Sequence, residues 1–275
     1  MSETNLQPDS AVPAYSAPHP QDVPVVQEPA RLGPLQRLIG TLFSPGETFE
    51  DVNRKPTWIV PIIIAMVTVF ASTMFFEWRV KPDWDQIMRT QTKKRLERSG
   101  QSVTEEQIQQ QVAIGKTFAK FTPIIAVVGT PIFYLVLTGI FALGMMFIQA
   151  KSTFKKILSV VAWSGAATGI VGFVVTTAVL FVRDPAEIRT LDPSQFGTIV
   201  PSNLGAFLAS DTSAVIRAIA GSLDLFTIWW LILLSIGFAA IAGSRKITSS
   251  KTGVMIFGFW ALFILVKVAW AAAFG

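Results

Sequence analysis

Apolar residues gather into five long runs, at residues 58–76, 122–148, 157–182, 225–242 and 254–274, with polar stretches between them. A hydrocarbon core of about 30 Å takes roughly 20 helical residues to cross, so each run is a candidate span. The first four contain no Asp, Glu, Lys, Arg or His, and the fifth contains only Lys267. A helix of a water-soluble domain keeps one polar face, whereas these runs are apolar all round. Lipid admits only internally hydrogen-bonded helices or closed barrels, and a continuous run is helical where a barrel strand alternates. Trp58 and Trp78 bracket the first run in the manner of interfacial tryptophans. The pattern predicts an all-α polytopic membrane protein, a bundle of five transmembrane helices.

The polar stretches carry patterns of their own. Leu35, Leu38, Ile39, Leu42 and Phe43 repeat at helical spacing and predict one apolar face ahead of the first span. Ser44-Pro45-Gly46-Glu47 then reads as a second helix start, with Ser44 as N-cap, Pro45 in the first position and Glu47 completing a capping box. Phe49 and Val52 continue an apolar edge until Lys55-Pro56. An amphipathic lead-in of this kind is expected in the headgroup layer or across the ends of the bundle, its apolar face meeting membrane or a partner protein. In the first long loop, Pro82-Asp83 opens a helix that runs through Leu96 and breaks at Gly100. Thr104 and Gln107 offer another capping box, and Ile108, Val112 and Phe118 lead that helix toward the second span. The second long loop has turn signals at Asp184-Pro185 and Asp192-Pro193 and a short helical stretch near residues 213–223.

Composition sharpens this picture. The chain has 275 residues, of which 51% are hydrophobic and 15% charged, against about 25% charged in an average soluble domain. Its mean hydropathy is +0.50. With no cysteine there is no disulfide, thiolate nucleophile or cysteine metal site, and the one histidine, His19, lies in the N-terminal tail. Residues 1–30 hold six prolines, four acids and no Lys or Arg, the composition of a disordered tail, without the basic and apolar regions of a signal peptide. Three regions follow: a tail at 1–30, amphipathic helices at 31–57 and the membrane domain at 58–275. The net charge of +5 divides into −4 on the tail and +9 elsewhere, dispersed between the spans. Such dispersion points to membrane orientation and not to nucleic acid.

Connections of about 45, 8, 42 and 11 residues alternate along the spans, so both long loops share one side and the N-terminus shares the other with both short loops. The short loops carry Lys151, Lys155, Lys156, Arg245, Lys246 and Lys251 with no acid, a density that favours the cytoplasm. The long, partly helical loops are then extracytoplasmic.

Candidate chemistry is sparse. Gly165 and Gly169 form a GxxxG in the third span, and Gly139 and Gly144 lie in the second beside Pro123 and Pro131; small residues of this sort let helices approach closely. Lys267 can snorkel to the interface, being eight residues from the C-terminus, or form an intramembrane polar site with Asp224 at the mouth of span four. Lys267 with Ser235 is the one conceivable hydrolytic dyad, and Glu105-Glu106 is accounted for by the helix dipole. No cofactor or metal is expected. These features favour a non-enzymatic scaffold or adaptor that binds a membrane or cytosolic partner protein or a second copy of itself. The alternative is a transporter or lipid-moving protein with a polar site inside the bundle.

Three motifs resemble the bacterial branch of the Yip1 family. They are Leu42-Phe43-Ser44-Pro45-Gly46-Glu47-Thr48-Phe49 before Trp58, Phe154-Lys155-Lys156-Ile157-Leu158-Ser159-Val160 entering span three, and Leu223-Asp224-Leu225-Phe226-Thr227-Ile228-Trp229 entering span four. The resemblance covers roughly residues 35–270. It implies an integral protein of the bacterial inner membrane with a cytoplasmic N-terminus and an extracytoplasmic C-terminus. Eukaryotic relatives are associated with Rab GTPases, but this chain lacks their Asp-Leu-Tyr-Gly-Pro element and tyrosine-rich turn, with Trp163-Ser164-Gly165 near the latter's place.

Overall fold

The computed structural model describes residues 30–98, 104–191, 193–209 and 212–274. The expected tail disorder with His19, the break at Gly100 and the turn residue Asp192 lie outside the described residues. Among the described residues ten α-helices follow in order: α1 (Pro34–Phe43), α2 (Pro45–Arg54), α3 (Ile59–Val80), α4 (Trp84–Arg98), α5 (Glu105–Phe147), α6 (Phe154–Val182), α7 (Pro185–Ile188), α8 (Ala214–Ala220), α9 (Leu225–Ile241) and α10 (Ser249–Phe274). Two 3₁₀ turns, Pro193–Thr198 and Leu204–Phe207, lie in the second long loop. Among the described residues there is no β-strand, only an isolated bridge between Asn203 and Asp224.

Among the described residues four helices (α3, α5, α6 and α10) are long and apolar enough to cross a bilayer unaided. The fifth, α9, has 17 residues, or about 26 Å of rise, and lies between α6 and α10. Large apolar side chains face outward along the bundle, among them Ile63, Val67 and Phe70 of α3, Ile132 and Val136 of α5, and Leu262 and Val266 of α10. Lipid solvates such faces at no hydrophobic cost, which water would not. The chain is an integral membrane protein.

The second span is part of a longer helix. Thr104 and Gln107 do form the capping box, with Gln107 N donating to Thr104 Oγ1 at 3.4 Å and Thr104 N to Gln107 Oε1 at 3.3 Å. From there α5 runs unbroken for 43 residues, about 65 Å of rise, through both Pro123 and Pro131. This is twice the hydrocarbon thickness, so its first turns project beyond the membrane. The α4 helix folds back against the projecting part. Lys116 pairs with Asp85 at 2.6 Å and Arg89 with Glu105 at 3.7 Å, while Ile87, Ile108 and Val112 are buried.

The main core centres on the first half of α6, where Val160, Val161, Ala162, Trp163 and Ala166 are fully buried. It meets α3, α5 and α9, and also α1 and α2. Phe49 and Val52 of α2 are fully buried in this same core, a contribution of about 1.5–3 kcal/mol per side chain by area burial. Gly237 of α9 makes room for them, since a Cβ there would sit 2.4 Å from Val160 Cγ1 and 3.2 Å from the Phe49 ring. Asn53 fastens the same helix by donating to Ala240 O at 3.1 Å and accepting from Lys156 Nζ at 2.5 Å. The lead-in therefore plugs one end of the bundle, the capped end. The short loops join there too: Lys151 N donates to Ala242 O at 2.9 Å, and Gly243 turns at φ +71° with no space for a side chain against Lys151 O.

The helix start expected at Ser44 forms differently. Ser44 closes α1, its N–H bonded to Gly40 O at 2.7 Å, and its side chain makes no cap bond to α2. With φ −139° and ψ 57° it serves two abutting helices at once, a geometry that leaves Glu47 no capping-box partner. At the opposite end, the loop end, Val80, Leu180, Ile188 and Ile199 form a second, smaller core.

Candidate functional site

At the capped end, α1 is turned inside out relative to an ordinary amphipathic helix. Its buried face carries Arg37 and Thr41, while Leu35, Ile39 and Phe43 are 68%, 50% and 80% exposed. Leu38 packs at the edge of the main core, and Leu42 is half-buried. Arg37 Nη2 lies 2.7 Å from Asp51 Oδ2, with each side chain only 4% exposed. The guanidinium donates further from Nε to Asp51 Oδ2 at 2.9 Å, and from Nη1 to Lys55 O at 3.0 Å and Thr57 Oγ1 at 2.6 Å. Trp163 Nε1 of α6 donates to the same Thr57 hydroxyl at 3.3 Å, and Arg31 N to Asp51 Oδ1 at 2.7 Å. One guanidinium thus ties together α1, α2 and the strap into α3. Burial alone pushes the Asp51 carboxyl up. The Arg31 amide, the Arg37 hydrogen bond and charge, and the Leu32 amide together outweigh it and hold Asp51 below the usual carboxylate value.

The loop end holds the two polar candidates of the spans, each engaged with its own partners. Asp224 caps α9, accepting from Thr227 N at 2.8 Å and Thr227 Oγ1 at 3.1 Å, and it also accepts from Ser202 Oγ. Lys267 turns toward the bundle and donates to Ser222 Oγ at 2.9 Å, with its Nζ 5.9 Å from the Phe263 ring centroid. Beside it, a cavity of about 350 Å³ opens between α5, α9 and α10, lined by Leu137, Phe141, Trp230, Phe259 and Trp260 among others.

The conceivable Ser–Lys dyad is not assembled. Ser235 Oγ donates to Leu231 O at 2.7 Å, and the Ser235 carbonyl accepts from Thr252 Oγ1 at 2.6 Å. Lys267 is fifteen residues further along α10 than Thr252, about 22 Å of helix.

The glycines divide into two pairs. A Cβ on Gly165 would sit 2.3 Å from the Tyr134 hydroxyl, and one on Gly144 would sit 2.5 Å from the Phe259 ring. Gly139 and Gly169 have no such neighbour within 4 Å. Among the described residues no cluster of three or more His, Asp or Glu side chains could hold a metal.

Sequence reasoning singled out neither Arg37 nor Asp51. A signal was present: Arg37 and Thr41 share one stripe of α1 at i, i+4, and Asp51 shares the Thr48 and Val52 stripe of α2. Ser222 and Trp230 carried no such signal.

A family model described as the Yip1 domain matches residues 39–271. The chain belongs to the Yip1 family. The Yip1 domain begins within α1 and ends in α10, so the buried plug of α2, including Asp51, lies inside it, while Arg37 stands just ahead of it. No curated protein and no solved structure matches the chain.

Proposed function

We propose that this Yip1-family chain is a non-enzymatic membrane scaffold or adaptor, whose α1–α2 cap holds a partner protein at the surface of a bacterial inner membrane. The observation that carries this reading is the inverted polarity of α1. An amphipathic helix lying free on lipid is held only by its apolar face. Here a buried ion pair and the α2 plug lock the register, and the exposed Leu35, Ile39 and Phe43 form a preset apolar face. The all-basic short loops lie at the same end, which favours a cytoplasmic position for the cap and an extracytoplasmic one for the loop end. Crosslinking in native membranes, comparing the full chain with a Leu35→Ser/Ile39→Ser/Phe43→Ser variant, tests the reading. A discrete adduct with a second protein, lost in the triple variant, supports it. Adducts of the chain with itself alone, equal in both forms, overturn it.

The second reading, a lipid-moving or transport protein, is favoured by the loop-end cavity with Lys267 at its edge. Flux or scrambling in reconstituted liposomes that falls on Lys267→Met supports this alternative, and no flux above empty liposomes removes it.

A further inference from the structure

The cavity between α5, α9 and α10 joins three features. First, its wall is apolar and aromatic, from Leu137 and Phe141 on α5 through Trp230 on α9 to Phe259 and Trp260 on α10. Phe133 and Ile140 of α5 and Phe263 of α10 also line it and are exposed on the lipid-facing side, so the mouth opens to acyl chains and not to a water-filled vestibule. Second, its volume of about 350 Å³ falls at the lower end of ligand pockets, roughly 300–1,000 Å³. Third, two underused polar groups stand along it.

One is Lys267. It lies 18 residues from the start of α10, about 27 Å of rise, which puts the ammonium near the headgroup level of the loop-end leaflet. Among the described residues its three N–H donors have one acceptor, Ser222 Oγ, and that hydroxyl gives its own proton to Ala218 O at 2.7 Å. Among the described residues no carboxylate comes within ion-pair distance of Lys267. The other is the indole N–H of Trp230, buried from solvent and without a hydrogen-bond acceptor among the described residues. A cation in a span is costly and an occupant with an anionic head would relieve it, whereas the Trp230 N–H is closed off from the cavity.

We propose that this cavity binds one anionic phospholipid from the loop-end leaflet. Its phosphate accepts from Lys267 and its acyl chain lies along Leu137, Phe141, Phe259 and Trp260. Charge selects the ligand: the ammonium has no carboxylate partner, and a net-neutral headgroup brings its own cation to compete for the phosphate. The site rests on the cavity and not on the adaptor reading, and lipid binding at the loop end leaves partner binding at the cap untouched.

The test is native mass spectrometry of the full chain released from detergent, titrated in parallel with phosphatidylglycerol and phosphatidylcholine of the same chains. The wild type should retain one phosphatidylglycerol in preference to phosphatidylcholine by about fivefold, the effect of one lysine at a membrane surface. Lys267→Met should erase the preference and Lys267→Arg should keep it, which separates loss of charge from loss of fold. Glycerol phosphate, a free phosphomonoester with no chains, should fail to displace the lipid. Equal retention of the two lipids by the wild type overturns the proposal, as does an unchanged preference in Lys267→Met. Displacement by glycerol phosphate as effective as by lipid also overturns it, because it assigns the site to a free phosphate.

Discussion

Arg37 and Asp51 form a buried ion pair 2.7 Å apart, joining two helices that hydropathy alone would lay loosely on the membrane surface. Removing one partner strands the other charge out of water. Arg37→Met or Asp51→Leu alone should therefore lower stability by about 3–5 kcal/mol, and the double variant by clearly less, because no charge is left unpaired. Thermal unfolding of the three variants in one detergent measures this. Additive losses would show that the pair is not coupled.

The pair also sets a pH dependence. The folded carboxyl of Asp51 sits below its ordinary value of 3.8, so its contribution is complete above that value and fades as pH falls from there through the folded pKa. The stability gap between wild type and Asp51→Asn should be constant from neutral pH down to mildly acidic pH and close only in strong acid. Paired melting curves across that range read it directly. A gap that closes near neutrality would contradict the assignment.

The two close-approach glycines should separate from the two open ones. Gly165→Ala and Gly144→Ala push a methyl group against Tyr134 or Phe259, and overpacking of this kind costs about 1–3 kcal/mol. Gly139→Ala and Gly169→Ala meet no neighbour and should be neutral or slightly stabilising through helix propensity. Detergent melting temperatures of the four variants give the comparison.

Much of the fold was legible because lipid imposes a blunt rule. The expected third to fifth spans begin within about five residues of α6, α9 and α10, and the Thr104–Gln107 box marks the start of α5. Where α5 does not stop was less legible. A capping box signals a start and says nothing of length, and the helix continues through both prolines. The plug was less legible still. Phe49 is buried because Gly237, nearly two hundred positions away, leaves space for it. Arg37 and Asp51 lie on separate helices, and only the fold brings them together. Lys267 meets Ser222 across 45 positions, a separation at which no periodic pattern operates.

The absence of cysteine makes orientation straightforward to measure. Single replacements Lys246→Cys at the capped end and Glu187→Cys at the loop end should react with an impermeant maleimide from opposite sides. In intact cells Glu187→Cys should label and Lys246→Cys should not, with both labelling after permeabilisation. The reverse pattern would place the cap outside and remove the cytoplasmic adaptor.

Whether the locked face of α1 meets a protein is decided most directly by a photocrosslinking amino acid at Phe43 in native membranes, with a second at lipid-facing Ile132 as reference. The account predicts a discrete protein adduct from position 43 and only lipid adducts from position 132. It further predicts that Asp51→Asn, which loosens the register of α1, weakens the adduct at 43 without altering membrane insertion. Lipid adducts alone at both positions would contradict it, reducing the cap to an interfacial anchor.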